Sequence, residues 1–110
     1  MSVRLNFSKT FKTKVDFNLV LENGKNEAQS FEAEFNRLTR DQVNDIVTSG
    51  RKDADIVPEV LVGWSMKDAD DKTEIPFNPE TLAAFLSIPG AAGVTLLRYI
   101  ETVGASKAKN

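Results

Sequence analysis

Hydrophobic and polar positions alternate in two stretches of the first half of the chain. Val15, Phe17, Leu19 and Leu21 are interleaved with Asp16, Asn18 and Val20, and Phe31, Ala33 and Phe35 with Glu32, Glu34 and Asn36. A period of two places alternate side chains on opposite faces, so both stretches read as half-buried strands. Asn23-Gly24 between them signals a hairpin. A two-residue loop there would face Phe17 with Ser30 and turn the two apolar sets to opposite faces, because a one-residue slip inverts every side chain. A three-residue loop setting Phe17 opposite Phe31 and Val15 opposite Ala33 keeps them together. The expected loop is therefore odd in length or bulged, with Phe17 and Phe31 on one face. Val3, Leu5 and Phe7 also alternate and offer a third strand. A lone hairpin is marginal in water, so the sheet requires a cover.

From Thr39 the period changes. Thr39 is a good N-cap with Gln42 completing a capping box, Val43, Ile46 and Val47 form a short stripe, and Gly50 ends the helix. Ile56, Val57, Val60 and Leu61 have helical spacing, and Pro58 limits a helix to starting near it; a short helix is expected, with strand as the alternative because Val60-Leu61-Val62 is also strand-like. Residues 65–76 read as a loop. Asn78 caps a further helix with Pro79 at its first position and Glu80 in its first turn, where negative charge suits the dipole. Leu82, Phe85 and Leu86 form its stripe, and Pro89-Gly90 breaks it. A last helix over about 91–103 buries Ala92, Leu96, Tyr99, Ile100 and Val103, with Gly104 as its cap. The fold class expected is α+β: a small N-terminal antiparallel β-hairpin or three-stranded sheet followed by three or four short α-helices covering one face.

A length of 110 residues fits one domain. We place it at 1–104, with 1–13 as either a flexible arm or the first strand, and 105–110 as a disordered tail. Lys9, Lys12 and Lys14 join Arg4 in breaking any N-terminal apolar run, so no signal peptide is expected, and no run approaches the ~20 residues of a membrane span. The absence of cysteine suits a reducing compartment. Residues 1–14 carry four basic residues and no acid, and the last six carry two more, which leaves the body between them at −8. An acidic body with basic ends argues against a nucleic-acid surface on the folded part, and no membrane partner is expected.

Chemistry is sparse. With no histidine and no cysteine, imidazole acid–base work and the usual zinc sites are excluded. Asp41 and Asp45 lie one helical turn apart in a short solvated segment, not in the deep cleft that a glycosidase-like carboxylate pair needs. Gly90 and Gly93 do not make a phosphate cradle. The densest acidic cluster, Asp68, Asp70, Asp71 and Glu74, fails the calcium-loop pattern, because counting from Asp68 places Lys72, Thr73 and Pro79 where a ligand, a glycine and a bidentate glutamate belong. No enzyme activity, cofactor or metal is expected.

Aromatic residues are better candidates. Trp64, the single tryptophan, reads first as an anchor packing the C-terminal helices onto the sheet and second as an interface hot spot. Phe77 carries the same two readings. Phe11, among Lys9, Lys12 and Lys14, is expected to be a partner anchor on the surface, so that Phe11→Ala would leave the melting temperature nearly unchanged. Phe11, Trp64 and Phe77 are the candidate partner-binding residues.

The order of parts in residues 61–103 resembles that of the small tail assembly chaperones of long-tailed bacteriophages. Val62-Gly63-Trp64 ends a central segment, a polar loop follows, Pro76-Phe77-Asn78 starts a helix, and Ile88-Pro89-Gly90 breaks before the last one. The loop after Trp64 lacks the glycine that family members often carry. The resemblance implies a non-catalytic protein of the host cytoplasm, absent from the mature virion, that binds the tape measure protein and the major tail (tube) protein during assembly. It also implies a frameshifted longer form of the same chain. The alternative function is a structural tail completion or neck protein retained in the virion. A homo-oligomer is compatible with either.

Overall fold

The computed structural model describes Ser2 and residues 8–68 and 70–104. Two long strands, β1 (Thr10–Val20) and β2 (Asn26–Asn36), form the antiparallel hairpin that the alternation predicts. Two helices follow, α1 (Arg40–Thr48) and α2 (Asp53–Val60), then a short strand β3 (Leu61–Ser65). Helices α3 (Pro79–Leu86) and α4 (Ala91–Thr102) complete an α+β fold with strand order β1-β2-β3.

The hairpin loop is Glu22-Asn23-Gly24. Leu21 N–H donates to Lys25 O at 2.8 Å and Gly24 N–H to Leu21 O at 2.8 Å, while Gly24 adopts φ 83°. This is a three-residue loop closed by a left-handed residue, and glycine takes that conformation without a Cβ clash. The loop is odd in length, as expected, but pairing is shifted by two residues: Val15 faces Phe31 and Phe17 faces Gln29. Gly24 must be the last loop residue to use its positive φ, which moves the loop one residue earlier. A shift of two preserves the face, and Phe17 and Phe31 meet diagonally with ring centroids 6.1 Å apart.

Both strands extend beyond the alternating stretches, and Thr10–Thr13 belong to β1 rather than to an arm. The third strand is β3; the alternating Val3, Leu5 and Phe7 lie outside the described residues, as does the tail 105–110. The run 56–64, expected as a short helix with a strand as the alternative, divides between the two at Val60 and Leu61. Pro58 lies inside α2, five positions beyond its first residue, rather than near its start. The helix tolerates it because only the partner of the Ala54 carbonyl is lost in so short an element. Strand β3 pairs with β2 through Glu32–Phe35, with a bulge that leaves Val62 between Gly63 (opposite Glu34) and Leu61 (opposite Phe35). The extra residue places Leu61 and Trp64, three apart, on the same inner face.

That inner face carries Val15, Phe31, Ala33 and Phe35, all buried, whereas Lys12, Lys14, Asp16 and Asn18 on the outer face are exposed. The helices cover only the inner face. Val43 and Ile46 of α1, Ile56, Val57 and Val60 of α2, Phe85 of α3, and Ala91, Ala92 and Tyr99 of α4 enter the core. Thr39 forms its capping box with Gln42, and Asn78 caps α3 through the Thr81 amide at 2.9 Å. In α4 the buried positions are Ala91, Ala92, Thr95 and Tyr99, while Leu96, Ile100 and Val103, expected to be buried, are half-buried at its margin. Tyr99 O–H donates to Asn36 O at 3.0 Å and Arg98 Nε to Lys14 O at 3.0 Å, tying α4 to both hairpin strands. Among the described residues no single helix is long and apolar enough to cross a membrane.

The surface placement expected of Phe11 does not hold. Its ring lies 5.8 Å from Phe35 and stacks on Tyr99 at 5.9 Å, with the Arg37 guanidinium 5.3 Å from its centroid. Lys12 and Lys14 point to the outer face because they alternate with Phe11 along β1, and Lys9 precedes the strand. Phe11→Ala is therefore expected to destabilise the fold by about 2 kcal/mol, less than a fully buried phenylalanine because the ring is half-buried; urea unfolding reads this directly. Thr95 is fully buried and its Oγ1 has no hydrogen-bond partner among the described residues. Thr95→Val removes a desolvated hydroxyl at nearly constant shape and is expected to raise stability by about 1 kcal/mol, seen as a higher urea midpoint at unchanged slope.

Candidate functional site

The β1–β2 hairpin is longer than its cover. Eleven-residue strands extend about 36 Å, whereas the helices and β3 mask only the base and middle of the inner face. Toward the loop, the apolar face runs out from under α3 and leaves an open groove of about 680 Å³. Phe17, Leu19 and Leu21 of the hairpin form one side, and Trp64, Met66 and Ile75 the other. Ala84, Phe85 and Ile88 of α3 and its following turn close the inner end.

Trp64 sets the geometry of the wall. Its Nε1–H donates to Ile75 O at 2.9 Å, and its ring meets Phe31 at 6.0 Å, Phe85 at 5.7 Å and Phe77 at 4.9 Å, all edge-on. The indole therefore joins β3 to the strand-like return of residues 66–75, where Ile75 N–H donates to Met66 O at 2.8 Å and Lys67 bridges Glu74. Edge-to-face contacts contribute about 0.5–1.5 kcal/mol each beyond the buried area, so the cluster is a rigid support. Phe77 stands behind Trp64 and braces it. Phe11 lies at the other end of the sheet, against Tyr99. Of the three candidate residues, the structure thus brings Trp64 and Phe77 together and separates Phe11 from them. The hairpin-tip leucines and α3's Ala84, absent from the sequence-based candidates, form much of the groove; strand period alone could not show that Leu19 and Leu21 extend past the helical cover.

The rim is acidic. Glu22, Glu27, Asp68 and Asp70 line the groove with one ammonium, Lys67. The loop carboxylates also shape their own backbone: Asp68 Oδ1 accepts from Asp70 N–H at 2.8 Å, and Asp71 Oδ1 from Thr73 N–H at 2.9 Å. The Thr73 backbone and side-chain hydrogen bonds hold the Asp71 carboxyl below its usual range. Among the described residues no three acidic side chains converge as a metal-holding group.

Two other polar sites are closed by local structure. Arg51 grips Glu59 through both guanidinium ends, at 2.6 and 3.0 Å, and this hydrogen bonding raises the arginine and lowers the carboxyl. Ser49 and Lys52 have the spacing of a serine–lysine pair, but the Ser49 hydroxyl donates to Ile46 O at 2.9 Å and accepts from Arg51 N–H at 3.2 Å. It finishes α1.

What the groove offers is an apolar surface of aliphatic and aromatic side chains with carboxylates at its margin. That chemistry suits holding a segment of another molecule. Trp64→Phe keeps most ring contacts but leaves Ile75 O without its donor, and is expected to cost about 1 kcal/mol. Amide exchange should quicken in 66–75 while β1 and β2 keep their protection; uniform loss across the sheet would instead mark Trp64 as a support of the whole fold. Comparison of the chain with protein-family models, curated proteins and solved structures finds no match.

Proposed function

We propose that this chain is a tail assembly chaperone of a long-tailed bacteriophage. It acts without catalysis, in the host cytoplasm, by holding an apolar segment of the tape measure protein until the tail tube subunit assembles around it, and it is left out of the finished virion. The observation that carries this reading is the open groove at Trp64. The landmarks on which the family resemblance rests gather around it: Trp64 and Ile88 line it, and Phe77 packs against Trp64. A holding protein needs accessible apolar surface on a charged, soluble body, and the groove with its acidic margin has that character. Reversible holding also favours a shallow, open surface over an enclosed cavity, since the client must leave.

Co-expression with the long, helical tape-measure-like protein of the same genome tests the proposal. The expected result is a soluble complex recovered by pull-down, and its loss when Leu19→Asp or Ala84→Asp places a charge in the groove while the circular dichroism of the chain is unchanged. A partner that stays insoluble and unbound beside the folded chain would overturn the reading.

A further inference from the structure

Strand β2 is paired on both sides for only part of its length. Strand β3 reaches no further than Glu32 toward the hairpin loop. After Ser65 the chain turns away to pair with itself at Lys67 and Glu74. Among the described residues, Asn26–Phe31 of β2 therefore have a strand on the β1 side alone.

The backbone direction at this open edge follows from three hydrogen bonds. Leu21 N–H donates to Lys25 O and Arg37 N–H to Lys9 O, both at 2.8 Å, so odd-numbered residues face each other across the hairpin. The even-numbered Lys14 points its carbonyl outward, to Arg98 Nε. Alternation then turns the N–H and C=O of Ala28 and Ser30 away from β1, into the open edge. Both residues are exposed. Ser30 also lines the groove, so the edge and the apolar surface form one site.

We propose that this site takes an extended segment of a partner protein, added as a strand to β2 beside Ala28 and Ser30, with alternate apolar side chains in the groove and basic side chains between them. The inference deepens the reading of the groove as a partner site and does not depend on which partner fills it. Strand addition supplies affinity through the backbone ladder and selectivity through alternate side chains. An unpaired strand edge is a template for such pairing, and here it adjoins apolar surface, which most exposed edges lack. A helix satisfies its own backbone and would leave the Ala28 and Ser30 groups with water. Charge selects the sign of the segment: Glu22, Glu27, Asp68 and Asp70 surround the groove against Lys67 alone. A strand whose apolar side chains enter the groove turns its alternate side chains to the outer face, so these carboxylates act on them through the local field and not by contact: lysine or arginine is attracted and acid repelled.

The probe is a short capped peptide alternating lysine and valine, titrated into the full chain at low salt. Emission of Trp64 reports occupancy, since it is the single tryptophan and lies in the wall. The expected result is a saturable emission change, with exchange of the Ala28 and Ser30 amides slowed about tenfold or more, while Glu27 and Gln29, already directed to β1, keep their rates. Replacing lysine by glutamate in the peptide should weaken binding about tenfold or more. So should N-methylation of the alternate amides that face β2, which leaves every side chain in place; both alternate sets are tested. The double variant Glu22→Lys, Glu27→Lys, at two exposed positions, should favour the glutamate peptide instead. Absence of binding, binding indifferent to N-methylation on either set, binding indifferent to charge, or unchanged Ala28 and Ser30 exchange would each overturn the proposal. The peptide contains no phage sequence, so a failed pull-down with the tape-measure-like protein leaves this result intact, and the converse also holds.

Discussion

Phe31 lies where the structure is joined. It is on the inner face of the central strand, and its ring contacts Phe17 across the hairpin, Trp64 on β3 and Phe85 on α3. These residues come from four separate elements, so the sheet, its third strand and the helical cover share one set of edge-to-face contacts. The underlying constraint is that a sheet with one apolar face must bury that face against another element. Four short helices, each marginal alone, supply the cover and are themselves held by it. A small chain of this kind has little stability to spare, which gives individual rings such as Phe11 and Tyr99 a large share of the total.

The same constraint explains the groove. The helices and β3 are short and the hairpin is long, so the apolar face outlasts its cover. A protein selected only for stability would shorten the hairpin or lengthen the cover. Here Leu19 and Leu21 stay half-exposed beyond α3, and among the described residues the six residues of β2 beyond β3 keep an open edge. Carboxylates stand at the margin beside that edge, and charge is one means by which exposed strands are kept from pairing indiscriminately. The rigid Trp64 cluster and the uncovered tip are complementary: one holds the walls apart, and the other supplies the surface between them.

Much of this was legible in order. Period-two alternation identified both hairpin strands, and capping residues marked α1 and α3 to within a residue at their starts, because caps are local chemistry that tertiary context seldom overrides. The need to keep Phe17 and Phe31 on one face excluded a two-residue loop. The exact pairing was not legible, since registers two residues apart bury the same face. Only the placement of Gly24 in the left-handed region distinguished them. The run 56–64 was ambiguous for a physical reason as well: an apolar run with a proline suits either a short helix or a strand, and the chain uses both in succession.

Sequence by itself determined the fold class, the two hairpin strands, the starts of α1 and α3 and the acidic body, because these follow from composition, periodicity and contacts within a few residues. Tertiary structure alone decided that Phe11 is packed on Tyr99 rather than displayed to a partner. It alone also decided that the third strand is Leu61–Ser65, and that the hairpin tip, Trp64 and α3 enclose a groove beside an unpaired edge. Those outcomes depend on how far each element extends relative to the others. Such relative lengths arise from long-range packing, and no local pattern along the chain encodes them.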